Sequence, residues 1–252
     1  MNLVAYNMRL GGSEAHWRAL HGAFQPDIIL AQESLPPPSA PTGSPERTLW
    51  QPVPGHRWGS AVYVRSGALT PVAVPGYEGW AVAADLYGIA PGPLRLASIH
   101  VPAGRGGYVS VANRILDRLA GSAGPATALI GGDFNLTIGR RHAGEARQNK
   151  RAQLQLLDRL EHEFGVVSAW QIANPDRPLA QTLRWTGDPT TPYHCDAVFV
   201  PIAWTNAIAE AQVVSGGDWD RRSDHNPLVV RLNGGLDALA RDDVAREAAG
   251  RE

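Results

Sequence analysis

Eight polar side chains stand where apolar runs of this sequence give way to loops. Asn7 closes "LVAYN" (3–7) and Glu33 closes "DIILAQE" (27–33). His100 sits near the end of "LRLASIHV" (94–101). Asp133 and Asn135 follow "ATALIGG" (126–132), and Asp196 opens "DAVFVP" (196–201). Asp224 and His225 precede the last run, "NPLVVRL" (226–232). Taken singly, each has an ordinary reading, because Asn and Asp form turns and a lone histidine is commonly a satisfied core or surface group. Together they are four carboxylates, two carboxamides and two imidazoles at one kind of position. A strand that only fills a core has no use for them.

The mixture suits one chemistry. Oxygen ligands favour a hard divalent cation such as Mg²⁺ or Mn²⁺, which keeps waters and shares oxygens with a phosphate. A single cysteine and few histidines argue against zinc. Hydrolysis of a phosphodiester needs its charge neutralised, a water aligned and deprotonated, and the leaving oxygen stabilised. Carboxylates can hold the metal, histidines can move protons or donate to phosphoryl oxygens, and amides can position.

Composition sets bounds on everything else. The 252 residues are enough for a substantial buried core, with 44% hydrophobic and 19% charged residues. Cys195 alone cannot form an intramolecular disulfide framework. A net charge of −1 neither announces nor excludes a nucleic-acid ligand, since a basic groove can sit on a neutral protein. No apolar stretch is long enough to span a membrane, and no basic segment with an apolar h-region opens the chain. The expectation is a soluble, cytoplasmic monomer.

Besides the runs above, "SAVYVR" (60–65), "WAVAADL" (80–86) and "VVSAW" (166–170) read as strands. "SAVYVR" barely alternates, as a strand buried on both faces would. Helical stripes appear at Trp17, Leu20 and Phe24 after Ser13, at Ala112, Ile115, Leu116 and Leu119, and at Leu154, Leu157, Leu160 and Phe164 before Gly165. Nine strands with three helices are too strand-rich for a doubly wound parallel sheet. They predict a two-sheet sandwich with helices outside. One domain spanning 1–235 is expected. The proline-rich stretch 36–45 is a loop, and 236–252 is a polar tail.

"YNMR", "QES", "SIHVPAG", "GGDFNLT", "HCDAVFVP" and "SDHNPLVV", in this order, resemble the endonuclease/exonuclease/phosphatase superfamily. That is the fold of deoxyribonuclease I, exonuclease III-type abasic endonucleases, neutral sphingomyelinases and inositol-polyphosphate phosphatases. The motifs cover residues 6 to 230, with "GDFN" and "SDH" the sharpest. The resemblance implies a four-layered α/β sandwich of two mixed sheets flanked by helices. It also implies a Mg²⁺- or Mn²⁺-dependent phosphoester hydrolase, most simply a nuclease, and among nucleases an endonuclease. The alternatives are a phosphodiesterase or phosphatase acting on a lipid or small phosphoester, or a non-catalytic binding member of the fold.

By the same resemblance, Glu33 is the main metal ligand, with Asn7 and Asp224 helping. Asp133 orients or deprotonates the attacking water, and Asn135 contacts the phosphate. His225 pairs with Asp196, and the general base is either His225 or Asp133. His100 contacts a phosphoryl oxygen or assists the leaving group. Abasic endonucleases carry Tyr where this chain has His100, which points to the histidine-bearing branches, although "VPAGRGG" keeps the look of their abasic-site loop. Arg105 in that loop and Tyr193, near Trp185, are expected substrate contacts. Arg140, Arg141, Arg221 and Arg222 flank two catalytic motifs and suggest a positive rim. Asp133 and Asn135 share side-chain parity if the strand stays extended.

Overall fold

Side chains alternate across each strand with a period of two, and this sorts the apolar residues into three core layers. In the computed structural model, residues 1–37, 47–88, 93–125, 127–145, 147–188 and 191–235 are described. Most of the proline-rich loop 36–45 and the tail 236–252 lie outside them.

One sheet contains β1 (Asn2–Gly12), β2 (Ile28–Ser34), β3 (Thr48–Pro52), β4 (Gly59–Val64), β11 (Ile208–Val213) and β12 (Leu228–Leu232). Its order is β11-β12-β1-β2-β4-β3. The other contains β5 (Ala68–Val72), β6 (Ala81–Tyr87), β7 (Leu94–His100), β8 (Ala128–Asp133), β9 (Val166–Ser168) and β10 (Asp196–Pro201). Its order is β5-β6-β7-β8-β10-β9. Leu3, Ala5, Leu30, Leu96, Leu129, Val198 and Val230 fill the space between the sheets. The intervening residues face outward. Val4, Tyr6 and Ile29 pack on Trp17 and Leu20 of α1 (Glu14–Phe24). Ala97, Ile130 and Phe199 pack under α2 (Gly107–Ala120) and α3 (Arg151–Glu163). The result is the four-layered sandwich of two mixed sheets that the motifs implied.

Each sheet is antiparallel except for one adjacent pair near its middle. β1 runs parallel to β2, and β7 runs parallel to β8. The carboxyl ends of all four strands therefore gather at one end of the sandwich.

The nine expected strands are present, with one shortened. β9 stops at Ser168, whose hydroxyl accepts from the Gln171 N–H and starts a short helix, α4 (Ala169–Ala173), so Ala169 and Trp170 are helical. Three strands were not foreseen: β3, β5 and β11. All three lie at sheet edges, where proline and polar residues blunt the apolar signal. The five-residue α5 (Asp218–Arg222) was also missed, being too short to show periodicity. α3 buries Leu156 with Leu157 and Leu160, in place of Leu154.

At the end remote from the gathered strand ends, Arg95 of β7 is buried and registered opposite Asp85 of β6. Its guanidinium donates to both Asp85 oxygens at 2.8 and 3.0 Å, and to the carbonyls of Ser122 at 3.1 Å and Ala123 at 2.9 Å. This fork ties the end of α2 to the sheet. Removing one partner of such a pair strands a buried charge. Asp85→Ala is predicted to cost about 3 kcal/mol or more, read from the denaturant midpoint; an unchanged midpoint would refute the role.

His194 is fully enclosed before β10, with Nδ1 2.8 Å from the Ala180 carbonyl oxygen. Burial lowers its pKa from 6.5 to about 4, so it is neutral when folded and takes a proton more readily when unfolded. Its stabilising contribution is complete above about pH 6.5 and is lost as pH falls toward about 4. The Tm of His194→Gln should consequently fall less over that interval than the wild-type Tm. Parallel curves would rule the contribution out.

Candidate active site

The inward-facing positions change character toward the end of the sandwich where the parallel strands finish. β1 presents Leu3, Ala5 and then Asn7. β7 presents Leu94, Leu96, Ser98 and then His100. β8 presents Leu129, Gly131 and then Asp133, and antiparallel β10 starts at that end with Asp196. His100 and Asp196 both pair in register with Asp133. Simple alternation thus caps the inter-sheet core with a polar cluster.

Glu33 reaches the cluster by breaking this alternation. Its φ is +50°, and the β2–β4 ladder shifts register between Ala31 and Ser34. Arg9 and Leu10 also have positive φ, 52° and 49°, which non-glycine residues adopt at a cost. That turn aims the Leu10 N–H at Glu33 Oε2, 2.6 Å away.

Asp133 is the hub. It is 1% exposed, and the Asn7 amide donates to it and to Glu33 Oε1, both at 3.0 Å. Nε2 of His100 lies 3.5 Å from Glu33 Oε1 and 3.7 Å from Asp133 Oδ2. Nε2 of His225 lies 3.7 Å from the same Asp133 oxygen, while its Nδ1 is 2.9 Å from Asp196 Oδ2. Ser223 joins the strands that carry these groups. Its hydroxyl donates to the Asn7 carbonyl at 2.8 Å and accepts from the His225 N–H at 3.0 Å.

The electrostatics separate the two imidazoles. Burial lowers His100 to about 4, with Asp133 opposing it. Burial would also lower His225, but Asp196, Asp133 and Asp224 outweigh it and raise it to about 10. Burial raises Asp133, His225 works against that, and Asp196 adds to it.

The cluster has donor atoms that could hold a metal ion. Ligand atoms of Asp133, Asp196 and His225 lie within 4.8 Å of one another. Asp196 Oδ1 is buried without a hydrogen-bond partner, and Glu33 and Asp133 share one amide donor. This close trio differs from the expected metal set of Asn7, Glu33 and Asp224.

Asp224 stands at the margin. Its side chain is 24% exposed and 3.5 Å from Arg9 Nε. Asn135 departs from the parity argument. β8 ends at Asp133, and Asn135 has φ +53°. An Asx-type turn brings its N–H to Asp133 Oδ1 at 2.8 Å, and its amide donates to the Val101 carbonyl at 3.0 Å. Phe134 points into the core, against Phe199. The glycines before Asp133 serve close packing and no turn: a Cβ on Gly132 would lie 2.1 Å from the Ile99 carbonyl oxygen.

Tyr193 and Arg105 make no direct contact with the cluster among the described hydrogen bonds. Tyr193 bridges Leu183, which bridges His225, and its ring meets Trp185 edge-on. Arg105 is exposed in the turn before α2. The expected positive rim is compensated internally. Arg140 pairs with Asp158 and Glu161, Arg141 with Glu145, and Arg221 and Arg222 with Asp218.

Sequence reasoning missed Arg184, which holds the Asp224 segment. Its N–H donates to the Asp224 carbonyl at 2.8 Å, and its guanidinium reaches Asn226 Oδ1 and the Ser223 carbonyl. Nothing in "TLRWT" marks that role. It also missed Trp58 and Trp80, whose rings lie against His100.

No protein-family model matches the sequence, and no curated protein matches it. Solved structures do. The 3' phosphatase NExo from Neisseria, bound to product DNA hairpin, aligns over 93% of this chain and 100% of its own, with 13% identity and a TM-score of 0.65. An AP endonuclease from Archaeoglobus fulgidus aligns over the same shares, with 15% identity and a TM-score of 0.66. AP endonuclease LMAP from Leishmania major aligns over 92% of this chain and 87% of its own, with 15% identity and a TM-score of 0.62. At these identities the likeness is one of fold, and by it this chain has the deoxyribonuclease I-like fold of those nucleases.

Proposed function

We propose that this protein hydrolyses phosphodiester bonds of nucleic acid with Mg²⁺ or Mn²⁺, acting as a monomer. The observation that carries this reading is the convergence of Asn7, Glu33, His100, Asp133, Asp196 and His225 on one end of the inter-sheet core. The nuclease neighbours support it at the level of fold. Among the described residues no helix is long and apolar enough to cross a membrane.

Glu33 would hold the cation, with Asn7 and Asp224 beside it. When bound, the cation supplies charge neutralisation at the phosphoryl group and the leaving oxygen. Asp133 and the His225–Asp196 pair flank the place of the attacking water; Asp133 takes its proton, since the carboxylates around His225 keep that imidazole charged. Asp196 fixes the ring orientation of His225 through Nδ1, which leaves Nε2 facing the reaction space. His100 presents Nε2 to the same space, as donor to a phosphoryl oxygen or to the leaving group. Asn135 contacts the phosphate through an amide oriented by the Val101 carbonyl. Arg105 and Tyr193 contact the flanking strand.

Hydrolysis of a phosphomonoester at a DNA end is a second reading, favoured by the 3' phosphatase among the neighbours. A hairpin with a 3'-phosphate separates the two.

The deciding assay is nicking of supercoiled plasmid. Wild-type protein should nick with Mg²⁺ or Mn²⁺ and stop on adding EDTA. Asp133→Ala should be slower by about a hundredfold or more. Absence of nicking, or nicking that survives in the variant, would sink the nuclease reading. Asp196→Asn keeps the shape but weakens the hold on His225, and should lower kcat with little change in KM.

A further inference from the structure

Next to His100 lies an aromatic group that the catalytic reading leaves unused. The rings of Trp58 and Trp80 are 5.9 and 5.1 Å from the His100 ring. They meet each other edge-on at 5.4 Å, and His56 lies 4.8 Å from Trp58. Packing alone would bury such a group. Instead Trp58 and Trp80 are half-buried and His56 is exposed.

The backbone holds this group in place. "VPGHRW" is the loop between β3 and β4, closed by Val53 N–H to the Trp58 carbonyl at 3.0 Å and His56 N–H to the Val53 carbonyl at 2.9 Å. Gly79, with φ +73°, lets the Trp80 turn lie directly on this loop. A Cβ there would be 2.3 Å from the Pro52 carbonyl group. The Trp80 carbonyl in turn accepts from the His100 N–H at 2.7 Å. The hairpin of one sheet and the turn of the other thus form one rigid ledge beside the cluster.

Its charge differs from that of the paired arginines of the rim. Arg9, Arg140, Arg141, Arg184, Arg221 and Arg222 all have acid partners. Arg57, between His56 and Trp58, is exposed and has no ion pair or side-chain hydrogen bond among the described residues. A π-face with an uncompensated cation is complementary to a nucleobase and its phosphate.

We infer that His56, Arg57 and Trp58 form a subsite for an unstacked base of a single strand leading away from the scissile phosphate. His56 and Trp58 stack on the base, and Arg57 meets the adjoining phosphate. This rests on the nucleic-acid reading above.

The test measures anisotropy of a fluorescein-labelled oligothymidylate, and of a base-free abasic strand, across a salt series. The parent protein is the Asp133→Asn variant with Mg²⁺. Arg57→Gln on this background should lower the slope of log affinity against log salt by about 0.7. Arg118→Gln, at the opposite end of the sheet, should keep the parent slope. His56→Ala should weaken oligothymidylate binding about fivefold or more and leave abasic-strand binding unchanged. Trp58→Phe keeps a ring against Trp80 and His100 and should weaken only oligothymidylate binding. If wild-type protein nicks plasmid while Arg57→Gln keeps the parent slope and His56→Ala weakens both probes equally or neither, the ledge is refuted and the nuclease reading stands. If the parent binds neither probe and wild-type protein does not nick, both fall.

Discussion

A carboxylate buried as deeply as Asp133 is tolerable only if its surroundings compensate it. Nearly every feature of the site can be traced to that need. The Asn7 amide, the Asn135 N–H and the imidazoles of His100 and His225 all converge on its two oxygens or stand close to them. Asp196 adds a second buried negative charge directly across the ladder, and His225 balances it through Nδ1. Burial pushes the two histidines the same way, and the placement of carboxylates decides that they part company. A site so arranged shifts two imidazoles in opposite directions within reach of one carboxylate.

The sheets make this convergence possible. A purely antiparallel sandwich would send neighbouring strand ends in opposite directions. One parallel pair in each sheet brings the ends of β1, β2, β7 and β8 to the same rim. Inward parity then turns polar at Asn7, where the regular β1–β2 ladder ends, and at the last positions of β7 and β8, His100 and Asp133. Gly131 and Gly132 allow β8 to approach its neighbours closely enough for Asp133 to sit between the sheets. Their missing side chains leave room for Leu30, Gln32 and the Ile99 carbonyl.

Charge around the rim follows a different logic. Most arginines near the polar cluster are engaged by acids, Arg141, Arg221 and Arg222 within a few residues and Arg9, Arg140 and Arg184 across elements, so they brace loops and add little net field. Arg184 is the clearest case: it binds the Asp224–His225 segment through backbone and side chain at once. The net charge of −1 and the many arginines in the sequence are reconciled in this way.

The sequence by itself determined which residue types stand at strand ends, and hence the polar end of the inter-sheet core and the layered fold. Alternation and strand count are local properties, legible at Leu3, Ala5 and Asn7 or at Leu129, Gly131 and Asp133. The edge strands β3, β5 and β11 were not legible, because an edge needs little burial and carries proline or polar residues. Nor was the left-handed turn at Asn135, since a positive φ leaves no mark on residue parity. The pairing of arginines with acids, the clamp of Arg184 and the approach of Trp58 and Trp80 to His100 were decided only by the tertiary structure. Apart from the short-range pairs of Arg141 with Glu145 and of Arg221 and Arg222 with Asp218, each depends on segments far apart in sequence, and their separation in space is set by how the two sheets pack, which no spacing along the chain encodes.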